Sequence, residues 1–255
     1  MKAMIFAAGL GTRLRPLTND RPKALVEVKG RTLLEIALAR LREFGVREVV
    51  INAHYFADKI VAYLKEHDDF GMRIAISHED VLLDTGGGLK KAAHFFLDGA
   101  VAADADEPDD EPILVHNVDV LSTIDLGRMA EAHIANQALA TLAVQERKTS
   151  RYLLFDEDMK LCGRRIGNDA TAELVRASRE VKPLAFSGVH VISPRLFGKL
   201  TEEGAFSIIT SYLRLAGEGE AIYGFRADQY YWRDLGRPED LERAAEELKT
   251  GRAGR

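Results

Sequence analysis

Short apolar runs alternate with segments whose apolar residues return every three or four positions, a pattern that predicts a parallel sheet covered by helices. The first run, Lys2 to Ala8, ends at glycine and reads as a strand buried on both faces. Thr32-Leu-Leu-Glu35 has the form of a capping box. Leu34, Leu38 and Leu41 then recur at helical spacing until Gly45, where a left-handed residue can end the helix. Glu48 to Ala53 is expected as a second buried strand, Ala57 to Lys65 as a helix and Met72 to Ser77 as a third strand. A glycine triplet, Gly86 to Gly88, precedes an apolar and basic helix from Leu89 to Leu97. The acidic stretch Asp98 to Glu111 is expected as a surface loop before the strand Pro112 to His116. A helix from Leu126 to Asn136 and a strand from Ala138 to Val144 complete the alternation.

Beyond this point the period changes. Tyr152 to Phe155 and Met159 to Cys162 flank Asp156-Glu-Asp158 and predict a hairpin, and no amphipathic helix is evident from Cys162 to Pro194. That stretch is expected to be a β-rich insertion. Ala185 to Ile192 reads as a strand, Ser207 to Ala216 as a helix, and Ala221 to Phe225 and Tyr230 to Arg233 as strands. Pro238 to Lys249 is the closing helix, with proline in its first turn. The expected architecture is α/β: a three-layer α/β/α, Rossmann-like, mostly parallel sheet with a small β-rich part. A single domain is expected over residues 1–249, with a frayed tail at 250–255. No internal repeat is present.

Three features carry candidate chemistry. In Gly9-Leu-Gly-Thr-Arg-Leu-Arg15, directly after the first strand, glycines let the backbone turn sharply and bring its amides to a phosphate, while Arg13 adds a fork of donors. Between Arg13 and Lys23 the basic residues Arg13, Arg15, Arg21 and Lys23 outnumber the acidic Asp20, which suits a polyphosphate. Leu14 stands where a dinucleotide fingerprint needs its third glycine and no Walker pattern occurs, so a dehydrogenase or P-loop ATPase is disfavoured.

Asp119 closes the apolar run Ile113 to Val118, at the strand end where open α/β sheets place ligands. Asp234 follows Tyr230-Tyr-Trp-Arg233 and precedes Gly236, a second strand-end carboxylate. Two carboxylates together with substrate phosphates describe a magnesium site. Asp84-Thr-Gly-Gly-Gly88 before a helix offers small residues against which a flat base can lie, and a helix N-terminus that favours an anion. His54, His78 and His116 are too scattered to form a metal cluster, and Tyr230, Tyr231 and Trp232 read as core or rim packing.

The run Ala7-Ala-Gly-Leu-Gly-Thr-Arg-Leu-Arg-Pro-Leu-Thr18 with Arg21-Pro-Lys-Ala-Leu25 resembles the signature of sugar-1-phosphate nucleotidyltransferases. The resemblance continues through Asp84 to Gly88, Asn117-Val-Asp119, Phe186-Ser-Gly188 and Trp232-Arg-Asp-Leu-Gly236, and so covers essentially the whole chain. Within that family it closely resembles the short bacterial N-acetylmuramate 1-phosphate uridylyltransferases.

The resemblance implies that Ala8, Gly9, Gly11, Thr12 and Arg13 bind the nucleotide triphosphate and that Lys23 touches phosphates at the reacting centre. It also implies that Gly86 and Gly87 lie near the base, that Asn117, Ser187 and Gly188 lie against the sugar, and that Asp119 and Asp234 ligate Mg2+ or Mn2+. Val118 stands where the family commonly has glycine and Arg237 where it commonly has threonine. The family's Glu-Lys-Pro sugar-phosphate lysine has no match at the usual spacing, since Lys182-Pro183 lies too near Ser187-Gly188. The expected partners are a nucleoside triphosphate and a sugar 1-phosphate, with UTP and N-acetylmuramate 1-phosphate first. Other pairs in view are mannose or heptose 1-phosphate with GTP, and phosphocholine with CTP.

A sugar 1-phosphate is already a nucleophile, so the chemistry needs no serine or cysteine, only alignment and stabilisation of spreading negative charge. Metal-dependent glycosyltransferases usually carry an Asp-x-Asp pair where this chain has Asn117-Val-Asp119, and a non-catalytic NDP-sugar sensor has little use for Arg13, Lys23, Asp119 and Asp234 together. With 255 residues, 46% of them hydrophobic, the chain can bury a full core, and the lone Cys162 excludes a disulfide framework. A net charge of -5 argues against general nucleic-acid binding. No membrane span or secretion signal is read, which places the expected protein in the cytoplasm as a monomer or small homo-oligomer.

Overall fold

The structure, a computed structural model, describes residues 1–97, 111–167 and 171–249. Most of the acidic stretch expected as a loop, and the tail from residue 250, lie outside the described residues.

The first half runs β1 (Lys2–Phe6), β2 (Glu27–Val28), β3 (Arg31–Thr32), α1 (Leu33–Glu43), β4 (Glu48–Ala53), α2 (Ala57–Glu66), β5 (Arg73–His78), α3 (Asp84–Lys91) and α4 (Ala93–Leu97). The second half runs β6 (Ile113–Asn117), β7 (Val120–Ser122), α5 (Leu126–Ala135), β8 (Ala140–Gln145), β9 (Arg151–Phe155), β10 (Leu161–Ile166), β11 (Glu173–Leu174), β12 (Lys182–Ile192), α6 (Ile208–Gly217), β13 (Ile222–Arg226), β14 (Trp232–Asp234) and α7 (Pro238–Lys249).

The central sheet is ordered β5-β4-β1-β6-β12-β8-β13, and every strand but β12 runs the same way. The antiparallel strand departs from the parallel reading for a simple reason. Between β8 and β12 the chain forms β9, β10 and β11 rather than a crossover helix, so it returns against the direction of its neighbours. The first three residues of β12 pair with β9 and the rest with β8 and β6, which fuses the β-rich insertion to the main sheet. Its register slips against β8 between Phe186 and His190, a bulge with Gly188 at φ 72°.

Alternation along β1 builds the layers. Ala3 and Ile5 join a core with Leu34, Leu38, Ile60 and Leu241 from α1, α2 and α7, while Met4 joins a second core with Leu89, Phe96 and Tyr212 from α3, α4 and α6. α1 is capped as the sequence suggests, the Thr32 hydroxyl accepting from the Glu35 amide at 3.0 Å, although the Glu35 carboxylate pairs with Arg31 rather than reaching back to close a capping box.

Two histidines are sealed in the sheet. Burial pulls His116 down to about 4 and His190 to about 3, and Tyr212 pairs its hydroxyl with His190 Nδ1 at 2.6 Å. Both rings are neutral in the fold and must take up a proton on unfolding at mildly acidic pH. Their contribution to stability is complete above the unfolded pKa of about 6.5 and is lost as pH falls from there to about 4 and 3. Unfolding free energy measured in urea between pH 7 and 4 is expected to fall more steeply for the wild type than for His190→Gln, and equal slopes would contradict this account.

Candidate active site

The loop after β1 opens the site. The Ala7 amide donates to Asn52 Oδ1 at 2.8 Å, which ties the start of the loop to β4. Gly11, at φ 63°, starts a 3-10 turn over Thr12–Leu14, and its carbonyl accepts from the Leu14 amide and the Thr18 hydroxyl, both at 2.9 Å. A Cβ on Gly11 would meet Lys23 Cβ and Thr18 Cγ2, each at 3.0 Å, so the backbone lies directly on the Lys23 segment. Ala8 is buried, whereas Gly9, Thr12 and Arg13 are exposed. Among the described residues the amides of Gly9, Leu10 and Gly11 donate to no other group, leaving them available to an anion.

Asp119 follows β6 and Asp234 ends β14, far apart in sequence but joined by the antiparallel ribbon of β7 and β14, in which Asp234 faces Val120. The Leu235 amide donates to the Asp119 carbonyl at 2.7 Å and extends that ribbon. Lys23, itself buried, forms an ion pair with Asp119 Oδ2. Burial first, and the charge of Asp119 second, push the Asp234 carboxyl above its ordinary range, while Lys23, the Gly236 amide at 2.6 Å and Arg13 pull it the other way. Arg13 arrives from the first loop: a Cβ on Gly236 would sit 2.8 Å from one of its guanidinium nitrogens and 2.6 Å from Asp234 Oδ1. Arg13, Lys23, Asp119 and Asp234 therefore converge at the strand ends.

Cavities flank this cluster. One of about 450 Å³ is lined by Ala8, Gly9, Lys23, Asn52, Asp84, Thr85, Asn117 and Asp119. Another of about 540 Å³ is lined by Asn117, Arg147, Arg151, Tyr152, Arg164, Gly188, Trp232 and Asp234. Asn117 belongs to both walls. The bulge in β12 brings its backbone to the second cavity, and a Cβ on Gly188 would lie 2.7 Å from Asn117 Nδ2. Ser187 is fully buried; its hydroxyl hydrogen-bonds Gln145 Oε1 at 3.4 Å and its carbonyl accepts from Trp232 Nε1 at 2.7 Å.

The glycine triplet is placed differently from its reading as a loop before a helix. α3 already begins at Asp84, so Gly86, Gly87 and Gly88 lie inside it and are buried. The amides of Gly86 and Gly87 donate to the Phe206 carbonyl at 2.8 and 3.3 Å, which removes them as an anion site. A Cβ on Gly86 would fall 2.2 Å from the Phe206 ring, one on Gly87 2.4 Å from the Gly204 carbonyl and one on Gly88 2.6 Å from Glu79 Oε1. The triplet allows close packing against the 204–206 turn, and Asp84 and Thr85 are the residues of α3 on the cavity wall.

Sequence reading missed Asn52, Glu79 and Arg147. The fully buried Glu79 takes Asn52 Nδ2 at 2.7 Å and the Leu83 amide at 2.9 Å, linking β1, β4 and the start of α3. No motif marks these residues, because their partners come from distant segments. Trp232, read as packing, also stacks beneath Arg147, whose guanidinium carbon lies 3.7 Å from the ring centroid.

The family profile described as nucleotidyl transferase matches residues 2–161. The chain is 35% identical to an N-acetylmuramate alpha-1-phosphate uridylyltransferase of Caulobacter vibrioides, over 93% of this chain and 92% of that protein. It is 30% identical to a mannose-1-phosphate guanyltransferase of Debaryomyces hansenii, over 94% of this chain but only 62% of that longer protein. Among solved structures, HddC from Yersinia pseudotuberculosis complexed with GMP-PN superimposes with a TM-score of 0.74 at 21% identity, covering 97% of this chain and 99% of that one.

Gly87→Ala tests the placement of the triplet. The added methyl meets a backbone carbonyl that cannot swing away, so a loss of about 1–3 kcal/mol in urea unfolding is expected. An unchanged midpoint would mean that Gly87 faces open space.

Proposed function

The chain belongs to the nucleotidyl transferase family, and from that premise we propose that it joins the nucleotidyl group of a nucleoside triphosphate to a sugar 1-phosphate, releasing pyrophosphate and an NDP-sugar. It is an enzyme of the sugar-1-phosphate nucleotidyltransferase kind. One observation carries the reaction: two cavities sharing Asn117 meet beside Arg13, Lys23, Asp119 and Asp234, so two phosphorylated substrates can be brought end to end there.

In this reading the first loop holds the triphosphate with its open amides and Arg13. An oxygen of the sugar 1-phosphate attacks the α-phosphorus, the bond to the bridging oxygen of the β-phosphate breaks, and that oxygen leaves with pyrophosphate. No proton need be removed from the nucleophile, so the protein's work is alignment and charge. Lys23 offsets negative charge growing at the α-phosphate, and Asn117, at the junction of the cavities, contacts both substrates.

The pair Asp119 and Asp234 fits a hard divalent cation such as Mg2+ or Mn2+. Both donors are carboxylate oxygens, and burial first and their mutual repulsion second raise the Asp234 pKa, a cost that a cation would relieve. Among the described residues no cluster of three or more histidine, cysteine, aspartate or glutamate side chains exists, so substrate phosphates and water would complete its shell. When bound, the cation supplies further charge stabilisation at the phosphates.

For the substrates, UTP with N-acetylmuramate 1-phosphate is supported by the Caulobacter relative and by the acceptor-side wall. That wall carries Arg147 and Arg151 against a single carboxylate, Asp234, while Arg164 on the same wall is paired with Glu173; the two open arginines suit a sugar bearing an acid beyond its phosphate, as the lactyl group of N-acetylmuramate does. The cationic head of phosphocholine fits such a wall poorly. The fungal guanyltransferase relatives favour GTP with mannose 1-phosphate as the second reading.

Pyrophosphate release by the purified chain with Mg2+, for each of UTP, GTP, CTP and dTTP against a panel of sugar 1-phosphates and phosphocholine, tests the proposal. Turnover is expected with UTP and N-acetylmuramate 1-phosphate, and silence across the panel from folded protein would overturn the reaction. Lys23→Ala is expected to lower kcat by roughly 10²–10³-fold while changing thermal stability far less; an unchanged kcat would remove Lys23 from the reacting centre.

A further inference from the structure

Resting on the proposed reaction, a second question is which cation holds the phosphate of the acceptor. The lysine that the family usually supplies has no counterpart at the expected spacing, and its nearest candidate is committed elsewhere: Lys182 pairs with Glu146 at 2.7 Å on the surface. Neither Lys182 nor any other lysine lines the 540 Å³ cavity. Several arginines near the site are likewise engaged: Arg164 with Glu173 at 2.6 Å, Arg233 with Glu247 at 2.7 Å and Arg237 with Glu239 at 3.8 Å.

Arg147 differs from all of these. It follows β8 and lines both the acceptor-side cavity and a neighbouring one of about 500 Å³ that contains Arg13, Asp234 and Arg237. It therefore stands at the boundary between the sugar space and the residues that gather the triphosphate. Its orientation is set from two sides, by the hydrogen bond from Nη2 to the Phe186 carbonyl at 2.7 Å and by stacking on Trp232. Trp232 is in turn anchored to the Ser187 carbonyl, so the bulge of β12 and the ribbon strand β14 jointly hold the guanidinium. No carboxylate pairs with it among the described residues, and its buried Nε has no partner. Burial draws its pKa below the ordinary arginine value and the nearby charge of Asp234 acts against that, yet a guanidinium stays charged throughout the physiological range.

A half-buried, pre-oriented guanidinium with unused donors beside Asp234 is built for an anion that arrives with the substrate. We propose that Arg147 binds the phosphate of the sugar 1-phosphate and presents its oxygen to the α-phosphorus, in place of the lysine that this chain lacks. The planar fork, held by Trp232 and Phe186, positions that phosphate as well as neutralising it, a task that a lysine on a flexible stem performs less well in the same surroundings.

Steady-state pyrophosphate release at saturating levels of the other substrate tests this with Arg147→Met and Arg147→Lys. For Arg147→Met, KM for the sugar 1-phosphate is expected to rise at least about tenfold, equivalent to one strong charged hydrogen bond, with KM for the nucleoside triphosphate within about twofold of wild type. Arg147→Lys is expected to recover part of the acceptor affinity. If the wild type turns over and Arg147→Met keeps the wild-type acceptor KM, the assignment to Arg147 is overturned while the reaction stands. If both KM values rise together with a fall in thermal stability, and Arg147→Lys behaves identically, Arg147 is a packing residue and the assignment also fails. Silence of the wild type with every pair overturns the reaction and this assignment with it.

Discussion

Two carboxylates held close together in a half-buried pocket repel each other, and much of this fold can be understood as the structure needed to hold Asp119 and Asp234 in that arrangement. Burial and the charge of Asp119 both disfavour ionised Asp234. The opposing interactions come from two distant segments: Lys23 and Arg13 from the loop after β1, and the Gly236 amide just beyond β14. A cluster so dependent on distant segments can form only when the sheet is complete. In the proposed reaction, a divalent cation would offset the unrelieved part of that repulsion.

The rest of the architecture sets the two cavities on either side of that pair. Parallel strands β1, β4 and β6 deliver their C-terminal ends to one edge, where the loop after β1 and Asn117 emerge. The antiparallel β12 crosses the same edge in the other direction. Its bulge turns backbone carbonyls outward, toward Trp232 at Ser187 and toward Arg147 at Phe186. The β-rich insertion carried between β8 and β12 then walls the acceptor side with Tyr152, Arg151 and Arg164. The two cavities thus come from topologically different parts of the chain, the first from the parallel units and the second from the antiparallel return.

Close backbone packing stabilises the cavity beside the loop after β1. The buried Glu79 joins Asn52 to the start of α3, and Asn52 joins β4 to the loop after β1. Gly88 leaves the room for that carboxylate, and Gly86 and Gly87 let α3 pass under the 204–206 turn. The glycine triplet, which as a sequence feature looks like a ligand loop, is the means by which a helix start is seated against a turn contributed by another segment.

Much was legible in one dimension. The apolar runs of β1 and β4, the cap at Thr32, the stop at Gly45 (φ 80°), and α7 from Pro238 to Lys249 depend on contacts within a few residues, and periodicity reports such contacts directly. The sharp turn at the glycines after β1 and the strand-end positions of Asp119 and Asp234 were readable for the same reason, because turns and strand ends are marked locally. What the sequence could not decide were the properties that need two distant segments at once: the direction of β12, the ribbon that brings Asp234 beside Asp119, the burial of Gly86 and Gly87 under Phe206 and Gly204, and the stacking of Arg147 on Trp232. Local backbone preference and hydrophobic period are written in neighbouring residues, whereas close packing, charge repulsion and desolvation act through space, and they take effect only where tertiary structure brings the partners together.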